Sequence, residues 1–171
     1  MTAPSDAGKR LSSPVGERSS EEAVPLLLTV TGKQTDPDGN TQETASVYEA
    51  VCRKYGDGFL FSYLAEETEV RLFISHRLAW MQRGGRESGR MLFDPSGEMT
   101  QCDYETAYGI IPMQIRTDLI SVLAGGLRLE HKKNIADIIR HGLRARVRYR
   151  LMMGTDYEQI CSVTIKTQQI E

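Results

Sequence analysis

The stretch that decides the fold is Leu143 to Met153, which reads L-R-A-R-V-R-Y-R-L-M-M. Apolar side chains take every second position, and four arginines stand between them: Arg144, Arg146, Arg148 and Arg150. A period of two places all four on one face of a β-strand, whereas a helix would scatter them around its circumference. The pattern predicts a long, half-buried strand with a cationic ladder on its other face, in an antiparallel sheet.

On both sides of this strand, the sequence pattern is typical of short strands joined by tight turns. After the turn at 154–156, a last strand is predicted over Tyr157–Gln168. Upstream, the turns include Asp36–Asn40, where Pro37 fixes φ and Gly39 supplies a positive φ. The upstream strands are predicted over 26–33, 44–55, 59–65, 69–75, 77–82, 89–93, 98–106, 107–116, 117–123 and 127–131.

Regular spacing of short strands predicts a sandwich or a barrel, and a long meander closes because closure removes its exposed edges. We therefore expect an all-β, antiparallel, up-and-down barrel of about eight to ten strands. One short helix is predicted over 134–141, where Ile135, Ile138 and Ile139 share a face and Gly142 ends the helix. The Ser-, Pro- and Gly-rich segment 1–25 is expected to be a disordered tail, followed by one domain over 26–171.

The charge is distributed unevenly along the chain. The formal net charge is −2, but 128–150 contains eight Lys/Arg and two acids. That segment therefore carries +6 and the remainder carries −8. A local basic face on an acidic protein binds anions or nucleic acid, or pairs with neighbouring acidic strands.

The sequence favours a binding protein over an enzyme. Its three histidines show no metal-binding spacing, and no nucleophile elbow, P-loop or dinucleotide motif is present, so we expect no catalytic residues, metal or cofactor. Three scattered cysteines fit a reducing cytoplasm. No apolar stretch is long enough for a membrane-spanning helix, so no membrane association is expected. The sequence leaves the oligomeric state open.

The segment Met91–Thr117 resembles the YwiB-like family, a domain of unknown function with a calycin (lipocalin-like) β-barrel. The motif is an aromatic-ended strand, a Gly turn, Y-x-T-x-Y-G and a later Thr. It is carried here by Phe93, Gly97, Tyr104, Thr106, Tyr108, Gly109 and Thr117. The resemblance extends over roughly Leu26 to Thr167. It implies the calycin-like fold, and it implies no activity, because the family has none established.

Several polar and aromatic residues are candidates for a ligand site inside the barrel, whose interior holds side chains or one small ligand. Tyr104, Thr106 and Tyr108 are expected on one strand face, where they would either grip a ligand or pack between strands with their hydroxyls on backbone groups. Trp80 and Tyr63 would line the interior or plug one end, and Arg116, if inward, would hold an anion. The candidates are Tyr63, Trp80, Tyr104, Thr106, Tyr108, Arg116 and Tyr149.

The arginine ladder has three interpretations. It is a solvated outer face that pairs with acids such as Glu158, an inner face that binds a carboxylate or phosphate, or an outer patch that docks RNA or an acidic protein. The solvated outer face is favoured because arginine is rarely buried unpaired. The leading functional hypothesis is a non-enzymatic protein that binds a small, partly apolar or anionic ligand inside the barrel. The alternative is a filled barrel that uses its arginine face for interactions.

Overall fold

The protein is an antiparallel barrel built from one continuous sheet. The computed structural model describes residues 22–84, 89–125, 127–128 and 135–170. The strands are β1 (Val24–Thr35), β2 (Thr41–Tyr55), β3 (Gly58–Ala65), β4 (Thr68–Ile74), β5 (Ala79–Arg83), β6 (Met91–Phe93), β7 (Thr100–Thr106), β8 (Gly109–Ala124), β9 (Leu127–Arg128), β10 (Leu143–Met153) and β11 (Tyr157–Gln168), and the helix is α1 (Ile135–His141).

Ten strands pair in the order β6-β5-β4-β3-β2-β1-β11-β10-β8-β7, and β9 pairs with β8 alongside this order. Every pairing is antiparallel, as the hairpin-length connections predict. The two ends of the order, β6 and β7, approach each other, and the Thr100 hydroxyl of β7 donates a hydrogen bond to the Leu92 carbonyl of β6 at 2.6 Å. The sheet therefore forms a nearly closed barrel.

The arginine strand matches its prediction at both ends, since β10 spans Leu143–Met153. From Leu143 to Leu151, buried and exposed residues alternate without interruption. Strand β11 also has its predicted bounds, and α1 begins one residue after the predicted start. Gly142 adopts a φ of 76° directly after α1, and its N–H donates to the Ile138 carbonyl at 2.7 Å. Glycine therefore ends the helix as expected.

The prediction of two strands over 107–116 and 117–123 is wrong, because β8 is one strand of 16 residues. Its buried positions include Ile115 and Thr117 and then resume at Val122 and Ala124, with one extra exposed residue between the two series. The pairing of β8 with β10 shifts register at Arg148/Tyr149. A bulge inserts one extra residue into a strand, so the residues after it point to the opposite face from the one that strict alternation predicts. The strand is therefore continuous although the alternation of its sequence is interrupted.

Two expected segments fall partly outside the described residues. Strand β9 covers two residues of the predicted strand 127–131, and the other three are not described. Of the expected tail, residues up to 21 are not described, while Val24 and Pro25, assigned above to the tail, belong to β1.

Aromatic and aliphatic side chains fill the interior of the barrel. Phe61, Leu28 and Ile115 are fully buried, and they come from three different strands. The helix α1 packs against both β2 and β8, which lie on different sides of the barrel, and its Ile138 is fully buried in the core. The helix therefore covers one end of the barrel. Among the described residues, no helix has the length and apolar character to span a membrane.

Candidate functional site

The barrel is least complete where β6 meets β7, which we call the seam. Strand β6 has three residues and pairs with Ala79, Trp80 and Met81 of β5. No ladder joins β6 to β7 within the described part of the chain. Strand β7 pairs along its whole length with β8 and with no other described strand. The interior is therefore closest to solvent along this line.

A cavity of about 180 Å³ opens at the seam. We call it the seam pocket. Its sulfur-bearing lining consists of Met81, Met91, Cys102 and Met113. The rest of its lining consists of Arg83, Gly89, Asp103, Tyr104 and Glu105. A dry cavity of about 150 Å³ accommodates benzene, so the seam pocket has the size of one aromatic ring with a small substituent.

The sulfur side chains come from two cross-strand pairs. Met81 of β5 lies directly opposite Met91 of β6, and Cys102 of β7 lies directly opposite Met113 of β8. Cys102 and Met113 are buried, whereas Met81 and Met91 are half-buried against the core. Thioether side chains are flexible and polarizable, and they adjust to the shape of an apolar group. The two pairs therefore form an adaptable apolar wall on both sides of the seam.

Three charged residues that the structure describes line the pocket, Arg83, Asp103 and Glu105, and Arg83 is the cation among them. It follows Met81 by two residues on β5, so alternation directs both to the inner side of the sheet. The pKa of the Tyr63 phenol is raised to about 12, mainly by burial and also by the neighbouring Tyr48, while the Arg83 guanidinium acts in the opposite direction. Arg83 is itself exposed, so its charge lies at the mouth of the pocket. On β7, the same alternation directs Cys102 and Tyr104 inward and Asp103 and Glu105 outward.

Cys102 provides a neutral surface in the pocket. Burial raises the pKa of its thiol, and the adjacent Asp103 carboxylate raises it further. The thiol is therefore protonated at neutral pH and behaves as a small apolar group. Among the described residues, no three His, Cys, Asp or Glu side chains come together as a group that could hold a metal ion.

The two tyrosines of the Tyr-Thr-Tyr motif are exposed in the structure. Tyr104 lines the seam pocket but is 54% exposed, and Tyr108 is fully exposed in the turn between β7 and β8. The expectation that these residues share an inward strand face is wrong for Tyr108. From Gly109 to Pro112, β8 pairs with β7 and not with β10, so this hairpin extends past the barrel wall. Thr106 pairs with Gly109 through its backbone, and its side chain is outside the described set.

Tyr63 and Tyr149 are inside the barrel, as predicted. Tyr63 stacks on Tyr48 with ring centroids 4.6 Å apart, and Tyr149 packs on Phe93 with centroids 4.8 Å apart. Burial raises the pKa of the Tyr149 phenol strongly, and the Cys161 thiol adds to the shift. Both rings fill the core, and neither lines the seam pocket.

Trp80 is on the outer face, which corrects the expectation that it lines the interior. Ala79 and Met81, on either side of it, pack into the core, so alternation directs Trp80 outward. Its ring stacks on Phe73 with centroids 5.8 Å apart, and the Arg90 guanidinium lies 4.2 Å from its centroid. Trp80 therefore belongs to an external aromatic cluster.

Arg116 and the arginine ladder also face outward. Arg116 is exposed and lies directly opposite Arg150 on β10, so it does not hold an anion inside the barrel. All four ladder arginines are exposed, which excludes the inner-face interpretation. Arg150 pairs with Asp118 at 3.3 Å and with Glu158 at 3.5 Å, and the second of these ion pairs was predicted from the sequence.

Sequence reasoning missed most of the pocket: Arg83, Met91, Cys102 and Met113 were not candidates. Alternation in Ala79–Arg83 indicates that Met81 and Arg83 share a face. The sequence gives no signal that the β5–β6 pair meets the β7–β8 pair, because that meeting depends on closure of the whole barrel.

Comparison with known proteins agrees with the barrel fold. Residues 28–165 match the family described as "Domain of unknown function (DUF1934)". The chain is similar to the crystal structure of the ywiB protein from Bacillus subtilis, with 17% sequence identity and a TM-score of 0.68, over 91% of this chain and 99% of that chain. At this identity the similarity shows the fold alone. No curated protein matches the sequence. Because the family match spans most of the chain, the protein belongs to the DUF1934 family of YwiB-like β-barrels.

Proposed function

We propose that this protein is a non-enzymatic binding protein that takes a small, mostly apolar ligand with an anionic group into the seam pocket. The observation that carries the proposal is the position of the cavity at the incomplete closure of the barrel, between two cross-strand pairs of sulfur side chains. Ligand sites in proteins are typically apolar concavities with a few oriented polar groups. The seam pocket has this composition.

The size and charge of the pocket narrow the ligand class. A volume of about 180 Å³ is below the range of drug-sized sites, which begins near about 300 Å³. The ligand is therefore about one ring or one short branched chain. Arg83 supplies a cation at the mouth of the pocket, and a guanidinium binds a carboxylate through paired hydrogen bonds. A small aromatic or branched carboxylate meets both requirements.

Benzoate is a suitable probe because it joins one ring to one carboxylate. We expect it to bind the wild-type protein with a Kd near about 1 mM, which is appropriate for so few atoms. Benzyl alcohol, which has the ring without the charge, should bind more weakly. Ligand-observed NMR titration measures both affinities. Arg83→Gln should bring the benzoate affinity down to that of benzyl alcohol.

Two matched tryptophan variants locate the site. Met91→Trp places a bulky ring at the half-buried edge of the pocket and should abolish benzoate binding. Met152→Trp makes the same change on β10, two residues from Arg150 on the outer side of the strand, and should leave binding unchanged. Equal binding by the two variants, or no binding by the wild-type protein, would overturn the proposal.

A further inference from the structure

The outer surface of β10 presents a row of four arginines, and only Arg150 forms ion pairs within the part of the chain that the structure describes. Arg144, Arg146 and Arg148 are exposed, and none of them forms an ion pair among the described residues. From Arg144 to Arg150 the row extends for about 20 Å at the usual rise of a strand. We refer to the four residues of the arginine ladder, Arg144, Arg146, Arg148 and Arg150, as the arginine row from this point on.

The neighbouring strands add hydroxyl groups and a further cation. Arg146 lies between Thr164 of β11 and Ser121 of β8. Arg148 lies opposite Ser162, and Arg144 lies opposite Lys166. Arginine, lysine, serine and threonine are the side chains that contact phosphate oxygens in nucleic-acid complexes. The surface thus combines the groups that bind a phosphate backbone.

This arrangement opposes stability. Like charges directly opposite each other on neighbouring strands are destabilising, and Arg144 faces Lys166 while Arg150 faces Arg116. A surface that serves solubility alone intersperses both signs of charge. Near Arg150, Asp118 and Glu158 provide the opposite charge and neutralise one end of the row. The other three arginines keep their charge uncompensated.

We propose that the arginine row binds the phosphate backbone of single-stranded RNA without reading its sequence. Because the row is one strand wide, it fits a linear polyanion that lies along β10. Contacts to phosphate carry no sequence information. The residues directly opposite the row include no aromatic side chain, so the binding rests on phosphate contacts without base stacking. The net charge of −2 does not oppose this local binding, because charges beyond about 8 Å are largely screened at physiological salt. This inference is independent of the seam pocket.

Fluorescence anisotropy with a labelled oligouridylate of about 20 nucleotides tests the proposal. Non-specific binding predicts a Kd between about 10⁻⁶ and 10⁻⁴ M at physiological salt. Three to four phosphate contacts predict that affinity falls roughly 20-fold to 50-fold between about 50 and 200 mM KCl.

Arg146→Glu/Arg148→Glu should lower the affinity at least about tenfold, because two contacts become repulsions. The matched control is Arg53→Glu/Arg71→Glu, which makes the same change in net charge at exposed positions of β2 and β4. Arg150→Ala should weaken binding less than Arg146→Ala, because Arg150 is already paired. Circular dichroism and thermal unfolding identify any variant that has lost its fold, and the single alanine variants then decide.

Three outcomes would overturn the proposal. The first is no oligouridylate binding by the wild-type protein at the lower salt concentration. The second is equal loss of affinity in the two double glutamate variants, which would indicate a general charge effect. The third is tighter binding of a polyglutamate peptide of similar charge than of the oligouridylate, which would assign the arginine row to an acidic protein partner.

Discussion

The wall formed by β8, β10, β11 and β1 differs from the seam in how completely its backbone is paired. Strand β10 pairs with β11 from Arg144 to Met153 and with β8 from Leu143 to Met152. At the seam, β6 pairs through three residues with β5, and it is linked to β7 by the hydrogen bond from the Thr100 hydroxyl to the Leu92 carbonyl. The wall gives access to its outer face alone, whereas the seam gives access to the interior.

This difference places two kinds of chemistry on one barrel. The complete wall presents fixed charges outward, and we propose a long anionic partner for it. The incomplete seam brings adaptable sulfur side chains close to solvent, and we propose a small apolar ligand for it. The comparison predicts that truncations inside the wall affect stability most and that changes to its outer charges affect stability least.

The largest expected loss of stability comes from truncating a core side chain of the wall, and the same truncation at the seam should cost less. Ile165 is 1% exposed on β11, between Val30 and Ala145 of the neighbouring strands. Ile165→Ala should cost about 2–5 kcal/mol, because it removes apolar contact and leaves a cavity. Met91→Ala, at the half-buried seam, should cost less than about 2 kcal/mol. Urea unfolding measures both values, and equal losses would remove the distinction between the regions.

A loss of stability of intermediate size is expected at alkaline pH. The pKa of the Tyr63 phenol rises from 10.0 to about 12 on folding, and that of the Cys52 thiol rises from 9.0 to about 12. Both groups keep their protons in the fold at pH values where the unfolded chain loses them. Stability is therefore fully present below pH 9 and falls as pH rises through the window from about 9 to 12, by on the order of 1 kcal/mol per pH unit and group.

Tyr63→Phe tests the tyrosine part of this loss. The variant should show a shallower fall in unfolding free energy between about pH 10 and 12, because its ring cannot ionise. Denaturant unfolding at a series of pH values measures the slope. A slope unchanged from that of the wild-type protein would show that Tyr63 does not contribute.

A smaller change, and a gain in stability rather than a loss, is expected from a substitution on the outer face of the wall. Lys166→Glu turns a like-charge pair with Arg144 into an attractive one and should stabilise the protein by about 0.2–1 kcal/mol. The same variant should weaken oligouridylate binding. Thermal unfolding and anisotropy measure the two effects. A variant that is less stable than the wild-type protein would show that Arg144 and Lys166 do not repel each other.

The smallest effect is expected at the ion pairs of Arg150. Its side chain is 46% exposed and that of Asp118 is 36% exposed, so water screens the pair. Arg150→Ala should change the unfolding free energy by no more than about 1 kcal/mol. Urea unfolding measures this change. A loss of unfolding free energy above about 2 kcal/mol would mean that these ion pairs stabilise the wall.

The sequence predicts the fold best where a strand has one buried face along its whole length. In β10, alternation identifies both ends of the strand and the direction of each arginine. In β8, the bulge opposite Arg148/Tyr149 changes the phase of the alternation, and a continuous strand therefore has the sequence pattern of two. Local periodicity cannot identify a break in pattern that the neighbouring strand causes.

The candidate site was less predictable because it forms from strands that are distant in the chain and do not pair. Met81 and Cys102 line the same pocket only because the barrel closes. Tyr104 and Tyr108 carry the most distinctive motif, yet they are exposed because their hairpin extends beyond the wall that would cover them. Tyr63 and Tyr149 were correctly predicted to be interior, since each alternates with exposed or half-buried neighbours on its strand.

Native mass spectrometry in the presence of benzoate at about 5 mM tests most directly the claim that the seam admits a ligand, because this concentration exceeds the expected Kd. The wild-type protein and Met152→Trp should each gain the mass of one benzoate, which disappears on denaturation, whereas Met91→Trp should show the bare chain mass. A bare mass for the wild-type protein, or the same gain in Met91→Trp, would contradict the account.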